Sequence, residues 1–338
     1  MQKLIVVSFL LFLVGCQPAV QTVEPETYLS GKTMGTTYNV KFVTDPNIDS
    51  VELHNEIEQK LISVNQLMST YIPDSELSVI NQSPANTPVQ ISAETRLVLD
   101  EALRLGELTD GALNVTLGPL VNLWGFGPEK RPEVIPSDAE IALAMQSVGL
   151  EHIVLQGQQI SKKIDDLYID LSPIAKGYGV DALAELLESY GITDYLVEIG
   201  GEMRLSGIKS TGQEWRVAIE KPLSTQRAIQ RIIAIGDNAI ATSGDYRNYY
   251  EEDGIRYSHL IDPKTGYPIQ HNLVSVTVIH PSSMTADGMA TALSIVGTQA
   301  AMEIAERDNI AVLLVSKEGE EFVEYQSPAF ATIVKVIK

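Results

Sequence analysis

The chain has 338 residues, with 44 acidic side chains against 24 basic ones, a formal net charge of −20 and a pI near 4.6. No lysine and arginine cluster interrupts that acidic background, which disfavours nucleic acid as a partner, and the single cysteine excludes a disulfide framework. An acidic protein that handles a phosphorylated ligand has to neutralise the phosphates locally, with a metal ion, a few lysines or backbone amides.

The first residues read as a secretory signal: Lys3, an apolar stretch from Leu4 to Val14, then Gly15-Cys16 before the chain turns polar. At about 1.5 Å per residue the stretch reaches roughly 16 Å, too short to span a hydrocarbon core of about 30 Å. Leu13-Val14-Gly15-Cys16 has the form of a bacterial lipobox. Residues 1–15 are expected to be cleaved, leaving Cys16 acylated and residues 16–27, with Pro18 and Pro25, as a tether that anchors without spanning. An ordinary signal peptide with an incidental cysteine is the alternative. Residues 28–338 form the folded part, as one large body or two intimately packed lobes, since no Ser/Gly-rich linker or charge block divides them.

Within that part, Thr37 to Val43 alternates with period two and predicts a half-buried strand, while Leu53, Ile57, Leu61, Val64 and Met68 fall at helical spacing. A second helix is expected over Glu94 to Leu108, a third after the Ser137/Glu140 capping-box signature, and a long one from Ile174 to Tyr190 closed by Gly191. The pattern then changes to short β-rich runs at 195–199, 215–219, 228–235 and 273–279. A helix follows over Thr285 to Val296, and closing strands are expected at 310–315 and 331–337. Helices and strands cluster without alternating strictly, which predicts an α+β fold with an antiparallel sheet.

Chemistry concentrates in a few segments. In Thr285-Ala-Asp-Gly-Met-Ala-Thr291 a helical start puts Asp287 and Thr291 on one face, a carboxylate and a hydroxyl suited to magnesium, which takes few protein oxygens. The bland alternative is a solvated aspartate at a helix start. Tyr168 to Asp181 reads as a strand into Asp170, a turn at Pro173 and a helix start, with Asp170 able to accept from a ring or ribose and Lys176 able to meet a phosphate; or Asp170 simply caps the helix. Thr109 to Gly127 is rich in small residues and amides, and lets backbone approach a flat ligand or is a plain loop. Glu198-Ile-Gly-Gly201 alone reads as a strand end. His259, on a strand just before a turn, can accept a proton from an attacking hydroxyl when neutral, or is structural.

Taken in order, Met34-Gly-Thr36, the stretch around Asn114, Asp170-Leu-Ser172 through Lys176-Gly-Tyr178, Glu198-Ile-Gly-Gly201, Ser243-Gly-Asp-Tyr-Arg247, Ser258-His-Leu-Ile-Asp-Pro263 and Ala286-Asp-Gly288 resemble the ApbE family of FAD:protein FMN transferases, over about Tyr28 to Phe330. The resemblance implies a T-fold-like body and Mg-dependent transfer of FMN from FAD to a threonine hydroxyl of an acceptor protein through a phosphoester bond, releasing AMP. It implies Asp287, Thr291 and the carbonyl of Pro173 as metal ligands, His259 as general base, and Met34, Tyr71, Ala112, Leu113, Asn114, Asp170, Lys176 and Ile261 as the lining of the flavin nucleotide. It further implies a periplasmic lipoprotein, anchored in the inner rather than the outer membrane, whose acceptor is a subunit of a membrane redox complex. Two departures stand out: Asn114 replaces an aspartate of many relatives, and Ala290 stands where some carry a second acid. A magnesium-dependent FAD pyrophosphatase and a non-catalytic FAD-binding lipoprotein are the rival functions.

Overall fold

Alternation at the start of the folded chain builds a hairpin of β1 (Glu26–Thr33) and β2 (Thr36–Val43), which buries Tyr38, Val40 and Phe42 on one face. The computed structural model describes residues 25–127, 135–222, 228–245, 248–252 and 255–337; Cys16 and the signal segment lie outside them, as do Tyr246 and Arg247. Strand β1 already includes Glu26 and Thr27, two residues assigned to the tether by composition.

Helix α1 (Ser50–Met68) opens on Asp49, whose side chain accepts from the Val51 and Glu52 N–H groups, and buries Leu53, Ile57, Leu61, Val64 and Met68. Next come α2 (Glu76–Gln82), β3 (Val89–Gln90), α3 (Ala93–Leu108) capped by Ser92, and α4 (Gly118–Leu123). The Ser137/Glu140 capping box forms and starts α5 (Asp138–Ala144), before β4 (Ile153–Gln156) and β5 (Gln159–Lys162).

The segment running into Asp170 is not the strand that its sequence suggests. Its backbone is satisfied by a side chain instead: Asn81 donates to the Ile169 carbonyl and accepts from the Ile169 N–H, both at 2.8 Å, and the Asp170 N–H donates to the Val115 carbonyl. The buried Lys162 ammonium braces the same turn by donating to the carbonyls of Asn81, Asp165 and Leu167. Helix α6 (Ser172–Ser189) then starts without a side-chain cap, with Pro173 in its first turn, where a missing N–H costs nothing.

After α6 come β6 (Tyr195–Ile199), β7 (Glu202–Ser206), β8 (Val217–Glu220), β9 (Ile229–Ala234), β10 (Ala239–Gly244) and the hairpin β11 (Tyr249–Glu252) and β12 (Ile255–Ser258). The chain closes with β13 (Leu273–His280), α7 (Ser283–Val296), α8 (Thr298–Arg307), β14 (Ala311–Glu318), β15 (Glu321–Gln326), α9 (Pro328–Ile333) and β16 (Lys335–Ile337). The run 331–337, expected as one strand, is split. The Ser327 side chain accepts from the Phe330 N–H and Pro328 sets the first turn, so α9 forms and carries Phe330 into the core.

Eight strands make one antiparallel sheet in the order β1-β2-β6-β7-β10-β13-β14-β15. Helices α1, α3, α6 and α7 pack on one face, and the small sheet β16-β9-β8 covers part of the other through Val217, Ile219 and Ile233 against Leu205, Ile240 and Leu313. Coverage on both sides explains why β13 is buried at nearly every residue while β2 alternates. The α+β class and antiparallel sheet expected from the sequence are those of the structure. No helix among the described residues is long and apolar enough to cross a membrane.

The closest helix crossing places α6 on α7 at Gly177. A Cβ there would sit 2.3 Å from the Ser283 carbonyl oxygen and 2.7 Å from the Asp287 Cβ, both part of the α7 framework. Gly177→Ala is therefore expected to force the helices apart and lower unfolding free energy by about 1–3 kcal/mol. Urea denaturation checks this, and an unchanged midpoint is the contrary result.

Candidate active site

Because α6 begins at an Asx-type turn, with Asp170 accepting from the Ser172 N–H and hydroxyl, its N-terminal end opens onto a cavity of about 430 Å³. The walls come from distant parts of the chain. Asp170, Pro173 and Lys176 stand on one side, Ala112, Leu113 and Asn114 on the α3–α4 connection, Tyr71 beyond α1, His259 and Ile261 beyond β12, and Asp287 and Thr291 on α7. Met34 lies in an adjoining cavity of about 690 Å³ that shares Tyr71, Ser172 and Lys176 with the first. Every site residue expected within the folded part thus falls into one connected cleft; Cys16 lies outside the described residues.

Asp287 is not the solvated aspartate of a helix start. It sits inside α7 at 4% exposure and accepts from the Gly177 N–H at 2.9 Å. In a regular helix that N–H points to the carbonyl of Pro173, four residues back. Pro173, Asp287 and Thr291, the last one turn further along α7, line the same cavity. The Lys176 ammonium stands 3.6 Å from Asp287 and 3.2 Å from Glu202. Burial would lower the Lys176 pKa, but the two carboxylates outweigh it and hold the amine charged. Burial raises the pKa of Asp287, and pushes Glu202 up to about 7, with Lys176 opposing in both cases and Asp287 adding to the rise at Glu202. One lysine facing two buried carboxylates leaves negative charge for a cation, and three hard oxygens of mixed type suit magnesium. Among the described residues no group of three or more His, Cys, Asp or Glu side chains comes together, so the single carboxylate fits a metal that keeps water and ligand oxygens.

Lys176, read from the sequence as able to meet a phosphate, has its ammonium beside the Glu202 and Asp287 carboxylates. Asn114 uses its side-chain oxygen to accept from the Thr116 N–H and hydroxyl, which shapes the loop around the cavity. At His259, Nδ1 lies 2.9 Å from the Asn248 carbonyl, which can only accept, so the proton sits on Nδ1 and Nε2 is the free base. Burial lowers the His259 pKa, the Asn248 contact raises it, and the charge of Lys176 lowers it further, for a net shift below the ordinary imidazole value. Phe126 stands edge-on to the imidazole and stacks on Tyr250, making an aromatic wall.

Glu202, Asn248, Phe126 and Thr242 also line the cavity and were missed. Glu202 directly follows the Glu198-Ile-Gly-Gly201 motif and could have been read from it, whereas nothing in the sequence marks Asn248.

One further residue sets the geometry without lining the cavity. Asp181, 7% exposed and one turn beyond Gly177 on α6, accepts from the Ser283 N–H at 3.0 Å, the Met284 N–H at 2.9 Å and the Ser282 hydroxyl at 2.7 Å, and pairs with Arg204 at 3.2 Å. It caps α7 from another helix.

The chain is similar along most of its length to known proteins. The ApbE family model matches residues 34–314. A FAD:protein FMN transferase of Vibrio cholerae is 53% identical with 97% of each chain covered, and one of Escherichia coli is 44% identical over 96% of this chain and 95% of its own. The structure of a flavin transferase ApbE from Vibrio cholerae superposes with a TM-score of 0.86 at 52% identity, covering 91% of this chain and 99% of its own. An apo flavinyl transferase ApbE from Pseudomonas stutzeri gives 0.85 at 39% identity, covering 91% and 96%.

Asp181→Ala leaves two helix-terminal N–H groups without their acceptor and the Arg204 guanidinium with only Glu188. It is expected to cost about 1–3 kcal/mol of stability and to weaken FAD binding by loosening α7. Thermal unfolding and flavin fluorescence titration together check this; a variant identical to the parent in both contradicts the cap.

Proposed function

Starting from the fact that the chain belongs to the ApbE family, we propose that it transfers FMN from FAD to a threonine hydroxyl of an acceptor protein, with magnesium held at Asp287, Thr291 and the Pro173 carbonyl. The observation that carries the reading is the meeting, in one cleft, of a neutral His259 with a free Nε2 and the buried Asp287–Lys176–Glu202 cluster.

The residues divide the work as follows. Met34, Tyr71, the Ala112–Asn114 stretch, Asp170 and Ile261 line the space for the dinucleotide. The positive N-terminal end of α6 favours its phosphates. Lys176 opposes the rise in pKa that burial causes at Asp287. A magnesium ion bound at Asp287 supplies the charge that neutralises phosphate oxygens. His259 Nε2 takes the proton of the threonine hydroxyl, whose oxygen bonds to the FMN-side phosphorus. The bond to the AMP phosphate breaks, and AMP leaves with the electron pair. The aromatic wall of Phe126 and Tyr250 keeps water from the phosphorus, which would otherwise turn transfer into hydrolysis.

The lipobox at Cys16 supports a lipid anchor on the periplasmic side of the inner membrane, and the acceptor proposed is accordingly a subunit of a membrane redox complex. The test is incubation of the purified enzyme with FAD, magnesium and a membrane extract. A fluorescent protein band in denaturing gels, with one AMP per bound flavin and loss of both on chelation, supports transfer. Free FMN without a labelled band sinks it in favour of a pyrophosphatase, and unchanged FAD in favour of storage.

His259→Ala is expected to slow transfer by about 10²- to 10⁴-fold while FAD affinity holds. Since the working form of His259 is neutral and its pKa lies below the ordinary value of 6.5, the rate should stay level above neutrality and fall only as the medium turns acidic. A profile that keeps climbing through pH 8 is incompatible with this base. Asp287→Ala combined with Thr291→Ala is expected to abolish the response to added magnesium, measured as transfer rate against metal concentration.

A further inference from the structure

The sheet face opposite the helices carries a second large concavity, of about 840 Å³, which the reaction described above does not use. One wall is the face of β2 and β6 that the small sheet leaves uncovered, with Thr37, Asn39 and Glu198; the other is β8, an edge strand of the small sheet, with exposed Ala218. Asn39 donates to Glu198, so polar groups pave its floor. The concavity also adjoins the active cavity, since Thr242 lines both. The β7–β10 ladder ends at Ile240↔Met203, although β10 continues to Gly244 and β7 begins at Glu202. At that opening Thr242 lines both spaces, Gly201 faces the groove, and Glu202 faces the cavity. Gly200 and Gly201 have φ of +60° and +111°, which turns the β6–β7 connection tightly and keeps side chains out of the passage.

We propose that this groove docks the acceptor polypeptide as an extended segment, which passes the Thr242–Gly201 opening to bring its hydroxyl to His259. The inference rests on the transferase reading above and names where its second substrate binds. The cleft and its Met34 lobe lie on the helix side and accommodate the dinucleotide, so the protein substrate needs a separate approach. A polar groove flanked by an edge strand suits main-chain hydrogen bonding by an extended peptide, as in strand-addition recognition, and it is continuous with the reacting centre.

The test fills the groove from each wall separately, with Thr37→Trp and Ala218→Trp, neither of which lines the cavity. The probe is the membrane protein that the unsubstituted enzyme labels in the fluorescence assay. Each variant is expected to raise the KM for that protein by about tenfold or more, with the FAD dissociation constant unchanged. An unchanged acceptor KM in both variants overturns the docking site. So does a parallel loss of FAD affinity, which would make the groove part of the dinucleotide site. If the unsubstituted enzyme labels nothing, the transferase reading has failed, and that outcome is distinct from a labelling enzyme indifferent to the groove.

Discussion

The approach of α6 to α7 at Gly177 is the constraint on which the site depends. Without a Cβ at that residue the two backbones come close enough for its N–H to reach the Asp287 carboxylate. One turn further along the same face of α6, Asp181 holds the first turn of α7. Two contacts a turn apart fix both the separation and the rotation of the helices, and so decide that Asp287 and Thr291 face the cavity and not the core. Moving either helix by an ångström would separate the carboxylate from the Pro173 turn.

Electrostatics follows from that packing. Lys176 answers two buried carboxylates with one charge, and burial raises the pKa values of both Asp287 and Glu202 against its opposition. In the proposed reaction a divalent cation and the dinucleotide phosphates would bring charges of opposite sign into this corner, which would reconcile an acidic protein with a phosphorylated substrate. The same lysine also lowers the His259 pKa, so one side chain links the Asp287–Glu202 corner to the imidazole.

The two faces of the large sheet differ in what covers them. Helices pack on one face, where the active-site cavity lies, while the small sheet covers the other only in part and leaves a groove beside β8. Where β7 and β10 part company, Thr242 lies between the groove and the cavity, and the proposed docking of the acceptor uses that place.

Much of the fold was legible because its signals are local. All five apolar positions of α1, the Ser137/Glu140 cap and the span of β6 follow from periodicity and capping chemistry. Asp287 with Thr291, the Asp170–Lys176 turn and His259 stood out for the same reason: their chemistry is carried by neighbours in sequence. The failures have different causes. The run into Asp170 is held by Asn81, far away in the chain, and the 331–337 run was overridden by the Ser327 cap and the burial of Phe330. By itself the sequence determined the secondary elements, the residue types available for metal and proton chemistry, and the family. Only the tertiary structure decided that Lys176, Glu202 and Asp287 share one charge problem, which imidazole nitrogen is the base, and that a groove meets the cavity at Thr242, because those depend on distances that packing sets between residues remote along the chain.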